Sequence, residues 1–208
     1  MKAHDLYDLA LRDRDMRPVI AYGSAGTGKT YGAVKAAVEW LKGSKKNKLV
    51  VIRPNVSFAE KNGFLPGTER EKQEPWVRPV RNLLAENGCH YNEQACLEKA
   101  GRILYYPLEY IQGLTFDNSF VIVDECQNMS FDQIKVLVSR TGKYSKVVFC
   151  GDIAQISPKF HQSGLAKFIQ MIEYFEMNVH QIHFNRDDIL RSDLCKEFIV
   201  AFEEWEKV

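Results

Sequence analysis

The sequence predicts an α/β fold, with a mostly parallel sheet flanked by helices. Two observations carry that reading. Short apolar runs ("VIAY", "LVVI", "FVIV", "VVFC") alternate with stretches whose apolar residues recur at helical spacing. The first run enters a glycine-rich loop that opens a helix. With 208 residues and 45% apolar content, the chain suits one large domain with a well-buried core, residues 1–208 forming a single unit.

The elements follow in order. The start, "MKAHDLYDLALRDRDMRP", is amphipathic and mixed in charge, without the apolar run of a secretory leader. Residues 17–22 read as a strand. From Thr30 a helix carries Val34, Ala37, Val38 and Leu41 inward and stops at Gly43. Residues 48–53 form a buried strand closed by Pro54. Residues 54–101 break the rhythm with turn residues and charge, and read as an insert with a helix near 77–87. Strands follow at 102–108 and 120–125.

Ser130 and Gln133 then form a capping box. It opens a helix that turns Ile134, Leu137 and Val138 inward and ends at Gly142. Residues 146–152 are a strand, 163–175 a helix and 180–184 a short strand. From Asp187 a last amphipathic helix carries Leu190, Leu194, Phe198, Phe202 and Trp205.

Bulk properties exclude several classes. No run of 18 apolar residues is present, so no membrane-spanning helix is expected. The five cysteines form no C-x-x-C pair, which suits free thiols in a reducing compartment; Cys89, His90 and Cys96 read better as a local contact than as metal ligands. A net charge of +1 means that nucleic-acid binding would need a local patch.

Gly23, Ser24, Ala25, Gly26, Thr27, Gly28, Lys29 and Thr30 fit G-x-x-x-x-G-K-[ST] in full, in a strand–loop–helix setting. Such a loop turns backbone N–H groups toward phosphate oxygens at a helix N-terminus. Lys29 then reaches the terminal phosphates and Thr30 binds Mg²⁺. Asp124 and Glu125 end an apolar strand, where an Asp holds Mg²⁺ and a neighbouring Glu polarises the attacking water. Asp152 and Gln155, in "GDIAQIS", would face the γ-phosphate if strand 146–152 neighbours the first. No guanine-reading N-K-x-D motif occurs, which favours ATP or loose base reading.

Together "GSAGTGKT", "IRPNV", "NGFLPGTEREKQEPWVRPV", "FVIVDECQNMSFDQIKVLVSR", "KVVFCGDIAQIS", "SGL" and "DDILRS" resemble the PhoH-like ATPase family, relatives of superfamily 1 helicases. The short length is similar to that of a phage-type member. The resemblance implies a RecA-like P-loop core, ATP hydrolysis with Mg²⁺, and a role with RNA. It also implies a cytoplasmic setting, the host's cytoplasm for a phage-encoded chain. Gln112-Gly113-Leu114-Thr115 stands where many members carry Arg-Gly-Arg-Thr, and no Gln precedes Gln73 to read adenine. Arg191 matches the family's late arginine. One such domain lacks the second domain of a helicase, so Arg191 is expected to complete a neighbour's site in a homo-oligomeric ring, with a hexamer as the family-like form. Pairing with Asp187 or Asp188 on its own helix is the alternative.

Two function classes remain open. One is an ATPase on RNA or single-stranded nucleic acid, with Lys42, Lys45, Lys46, Lys48 and Arg53 as the phosphate-tracking patch and Trp76, Arg78 and Arg81 as a base-stacking group. Those lysines equally suit a solvated helix C-terminus, and Trp76 equally suits an anchor for the insert. The other class is a nucleotide-gated, protein-binding module that hydrolyses slowly.

Overall fold

The computed structural model describes residues 1–54, 69–152 and 163–205. Six strands form one sheet: β1 (Val19–Gly23), β2 (Lys48–Arg53), β3 (Ile103–Pro107), β4 (Ser119–Val123), β5 (Lys146–Gly151) and β6 (His180–Phe184). Their order is β3-β2-β4-β5-β1-β6, and every pairing is parallel. Because the sheet is covered on both faces, its inner strands β1, β2, β4 and β5 carry continuous apolar runs, whereas the edge strand β6 is mostly polar. Val19 and Ala21 of β1 enter one core cluster, and Ile20 enters the other. The same alternation places Phe120 and Ile122 of β4 on the first side and Val121 and Val123 on the second.

Helices α1 (Ala3–Leu11), α2 (Lys29–Gly43) and α3 (Glu69–Glu86) supply the first face, and α5 (Phe131–Val138) and α6 (Gly164–Tyr174) the second. The short α4 (Tyr91–Lys99) follows α3. In α3, Val77, Val80 and Leu84 recur at helical spacing and are buried, and the helix extends back through Pro75 and Pro79 to Glu69. Trp76 meets Tyr105 of β3 edge-on at 6.2 Å, and the Arg81 guanidinium lies 5.6 Å from the same ring. Arg81 also pairs with Glu74 and Glu98. Trp76 and Arg81 therefore tie the insert to the sheet, and the base-stacking expectation loses both.

Other expectations need correction. The Ser130–Gln133 capping box forms, but α5 ends at Val138, which is exposed. Ser139 caps α5, while the Gly142 N–H serves a turn onto the Phe116 carbonyl. The last helix, α7 (Asp193–Trp205), begins after a separate 3₁₀ turn at Arg186–Asp188 capped by Asn185. Leu190, Leu194, Phe198, Phe202 and Trp205 are all exposed, so this stripe faces away from the core. Cys89 is buried and Cys96 exposed, and among the described residues no group of three or more His, Cys, Asp or Glu is placed to hold a metal. Among the described residues, no helix is long and apolar enough to cross a membrane.

Candidate nucleotide site

Parallel pairing aligns the C-terminal ends of β1, β4 and β5, with β5 between the glycine loop and the acidic pair. A cleft of about 300 Å³ opens there, lined by residues 25–31, Asp124, Glu125, Gln127, Gly151, Asp152 and Arg191. Gly23 has φ +118°, and a Cβ there would overlap the Phe184 carbonyl. That carbonyl accepts the Ser24 N–H at 3.0 Å. Gly28 is left-handed at φ 80° and turns the loop into α2.

Lys29 is folded back. Its ammonium donates to the Gly23 carbonyl at 2.8 Å and the Ser24 carbonyl at 2.7 Å. Burial lowers its pKa, and nearby Asp152 opposes that shift. The Thr30 hydroxyl donates to Oδ1 of Asp124 at 2.8 Å. Burial raises the Asp124 pKa and Glu125 adds to the rise, while Arg53 and Thr30 oppose it. Hydroxyl and carboxylate side by side form a set of hard oxygen donors, the chemistry that suits Mg²⁺ beside phosphate. Thr30 and Asp124 fit the expected ion.

Glu125 has left-handed backbone, φ 55° and ψ 36°. Its Oε2 accepts from the Gln127 amide at 2.7 Å, and its Oε1 lies 3.6 Å from Arg53. Gln127 also accepts the Asp152 N–H at 3.1 Å, joining the ends of β4 and β5. The strand adjacency expected for Asp152 is present. Gln155 lies outside the described residues.

Arg191 is in its own chain's cleft. A Cβ on Gly26 would meet Arg191 Cγ at 2.9 Å, and the Leu190 N–H donates to the Gly26 carbonyl at 2.9 Å. It shares no helix with Asp187 or Asp188, and Asp188 faces His4 at 4.0 Å instead. Arg191 thus reaches the cleft from within the same chain.

Sequence reasoning misses three contributions. Arg53 belongs to the acidic pair, not to the lysines with which charge clustering groups it. Lys48 begins β2 and Arg53 ends it, a separation of about 16 Å at the usual rise per residue. Only the end of a buried strand signals this role. Gln127 stands two residues beyond the pair, in "DECQ", a signal that the acidic motif alone leaves unused. Helix α1 also braces the loop: Tyr7 donates to the Lys29 carbonyl at 2.8 Å, and His4 contacts the Thr27 carbonyl at 3.0 Å. An amphipathic pattern alone gives no such contacts.

A family model described as PhoH-like protein matches residues 4–203. The chain belongs to the PhoH-like family. It is 37% identical over 200 residues to a PhoH-like protein of Bacillus subtilis (strain 168), covering 95% of this chain and 61% of that one. It is 35% identical over 193 residues to a PhoH-like protein of Mycobacterium tuberculosis (strain ATCC 25618 / H37Rv), covering 91% and 53%. Against Protein PhoH of Escherichia coli (strain K12) the identity is 34% over 186 residues, covering 88% and 52%. The chain thus spans between about half and three-fifths of these PhoH-like relatives.

Among solved structures, the large terminase of a thermophilic bacteriophage aligns over 95% of this chain and 48% of its own. The TM-score is 0.56 at 16% identity. A second crystal form of that terminase, in complex with ADP, gives a TM-score of 0.55. At this identity the likeness is one of fold, and it agrees with the α/β, P-loop reading of this PhoH-like chain.

Proposed function

We propose that the chain is an Mg²⁺-dependent ATPase that couples hydrolysis to binding or remodelling of RNA or single-stranded nucleic acid. The observation that carries the ATPase part is the convergence of Lys29, Thr30, Asp124 and Glu125 on one cleft. Lys29 would serve the terminal phosphates, and Thr30 and Asp124 would hold the ion. Mg²⁺, when bound, neutralises charge on the phosphate oxygens. Glu125 takes a proton from the attacking water, with the Gln127 amide fixing its carboxylate. Arg191 adds positive charge from the same chain.

The nucleic-acid part rests on the family resemblance and on Lys45, Lys46 and Lys48, which are exposed. They lie near the N-terminal end of β2, away from the cleft, so α2 and β2 are the elements that would link the two. A second reading, a nucleotide-gated protein-binding module, is favoured by the exposed apolar stripe of α7. Leu190, exposed and just ahead of α7, would lie 3.3 Å from a Cβ on Gly28 of the loop.

Phosphate release measured with and without single-stranded RNA separates the two. Several-fold stimulation supports the first reading, and flat, slow turnover supports the second. No release under any condition overturns both.

A further inference from the structure

We propose that Arg53 is an internal counter-ion that competes with the divalent cation for the Asp124–Glu125 pair, and so sets how tightly that cation is held. The inference rests on the nucleotide-site reading and concerns a residue outside the loop and the acidic motif.

Arg53 ends β2, the strand directly paired with β4, so register brings its side chain to the acidic pair. One guanidinium nitrogen lies 3.7 Å from Oδ2 of Asp124, and another lies 3.6 Å from Oε1 of Glu125. The other two oxygens are already served, Oδ1 of Asp124 by Thr30 and Oε2 of Glu125 by Gln127. Arg53 therefore faces the two oxygens that lack a donor among these partners.

Its distances decide what kind of contact this is. Both exceed hydrogen-bond length, so charge holds Arg53 in place and no N–H···O fork clamps it. Its side chain is 32% exposed, against 13% for Asp124. Water already reaches Arg53, a third of whose side chain is exposed, whereas Asp124 is largely enclosed. Two adjacent carboxylates repel unless a cation lies between them. Arg53 fills that role and weakens the negative potential offered to any second cation. A structural ion pair would instead be buried, short and indifferent to metal.

Mn²⁺ binding to the ADP-loaded chain, read by electron paramagnetic resonance, tests this without turnover. Arg53→Gln is expected to tighten Mn²⁺ about fivefold, the scale of a partly exposed ion pair. Arg53→Lys, which keeps the charge, is expected to remain near the unmutated value. In the unmutated chain, mass mapping of phenylglyoxal labelling is expected to find Arg53 faster with Mg²⁺ and ADP than with ADP and chelator. That arm stands if Arg53→Gln does not fold. ADP uptake with unchanged or weaker Mn²⁺ binding in Arg53→Gln, or Arg53 labelling that Mg²⁺ leaves equal or slows, overturns the proposal alone. Failure of the unmutated chain to take up ADP overturns the nucleotide-site reading and this proposal with it.

Discussion

Thr30 and Asp124 stand 94 positions apart in sequence, and the hydroxyl of one donates to the carboxylate of the other across 2.8 Å. The loop and the acidic strand are thus joined by a direct hydrogen bond. Thr30→Val keeps the shape and removes the hydroxyl. Turnover is expected to fall by about 10²–10³, the scale of a lost transition-state donor, while Thr30→Ser keeps most of it. Phosphate release with a parallel melting curve distinguishes lost chemistry from lost fold.

Lys29→Ala and Glu125→Gln are expected to separate binding from chemistry. The first removes the charge for the terminal phosphates and weakens ATP binding together with turnover. The second keeps the carboxylate's shape, leaves ATP affinity intact and slows hydrolysis by about 10²–10⁴. Titration calorimetry beside a single-turnover assay reads the two effects. Wild-type hydrolysis by Glu125→Gln would remove Glu125 as the base.

Arg191→Ala is expected to cost about 10³ in rate if Arg191 acts as an arginine finger. Since Arg191 lines its own chain's cleft, mixing Arg191→Ala with Lys29→Ala protein is expected to restore nothing. Recovery of activity on mixing would show that the arginine crosses to a neighbour after all.

Much of this site is legible because its chemistry is local in sequence. Gly23 to Thr30 is one uninterrupted motif, and Asp124–Glu125 directly follow an apolar strand. Arg53 reads wrongly because five residues of β2 carry it from the lysines' end of the sheet to the opposite end, a displacement that charge clustering cannot show. The alternative reading of Arg191, a pair with Asp187 or Asp188 on its own helix, arises because helical spacing runs on unbroken from Asp187. The Asn185 cap instead closes a separate turn, and Leu190 hydrogen-bonds back to the loop. Val138 matches the apolar spacing of α5, but it is exposed at the helix end while Leu137 beside it is buried.

Gly23→Ala is expected to destabilise the fold by at least about 2 kcal/mol, since it adds both a clash and backbone strain. The new Cβ would overlap the Phe184 carbonyl at φ +118°. A lower denaturant midpoint at unchanged slope is the signature. A midpoint equal to the parent's would mean that β1 and β6 separate at little cost.

Lys146 is fully buried at the start of β5 and donates to the Ala10 carbonyl at 2.6 Å. Burial pulls its pKa down to about 8, and Asp13 opposes that shift. The unfolded chain, with an ordinary lysine near about 10.4, binds the proton more tightly. Stability from this residue therefore rises with pH between about 8 and 10.4. Lys146→Met is expected to lack that rise, so the difference between parent and variant melting temperatures should change across this window. A constant difference would show that Lys146 titrates normally.

The strand that bears the phosphate loop has both of its sheet neighbours, β5 and β6, far downstream. During synthesis, Gly23 to Thr30 therefore leaves the ribosome long before anything exists to hold it in register. Its Ser24 amide waits for the Phe184 carbonyl, and long-range parallel pairing is slow to form. A nascent or prematurely terminated chain thus lacks the carbonyl that holds the loop, so the loop takes its shape only once β6 has been made.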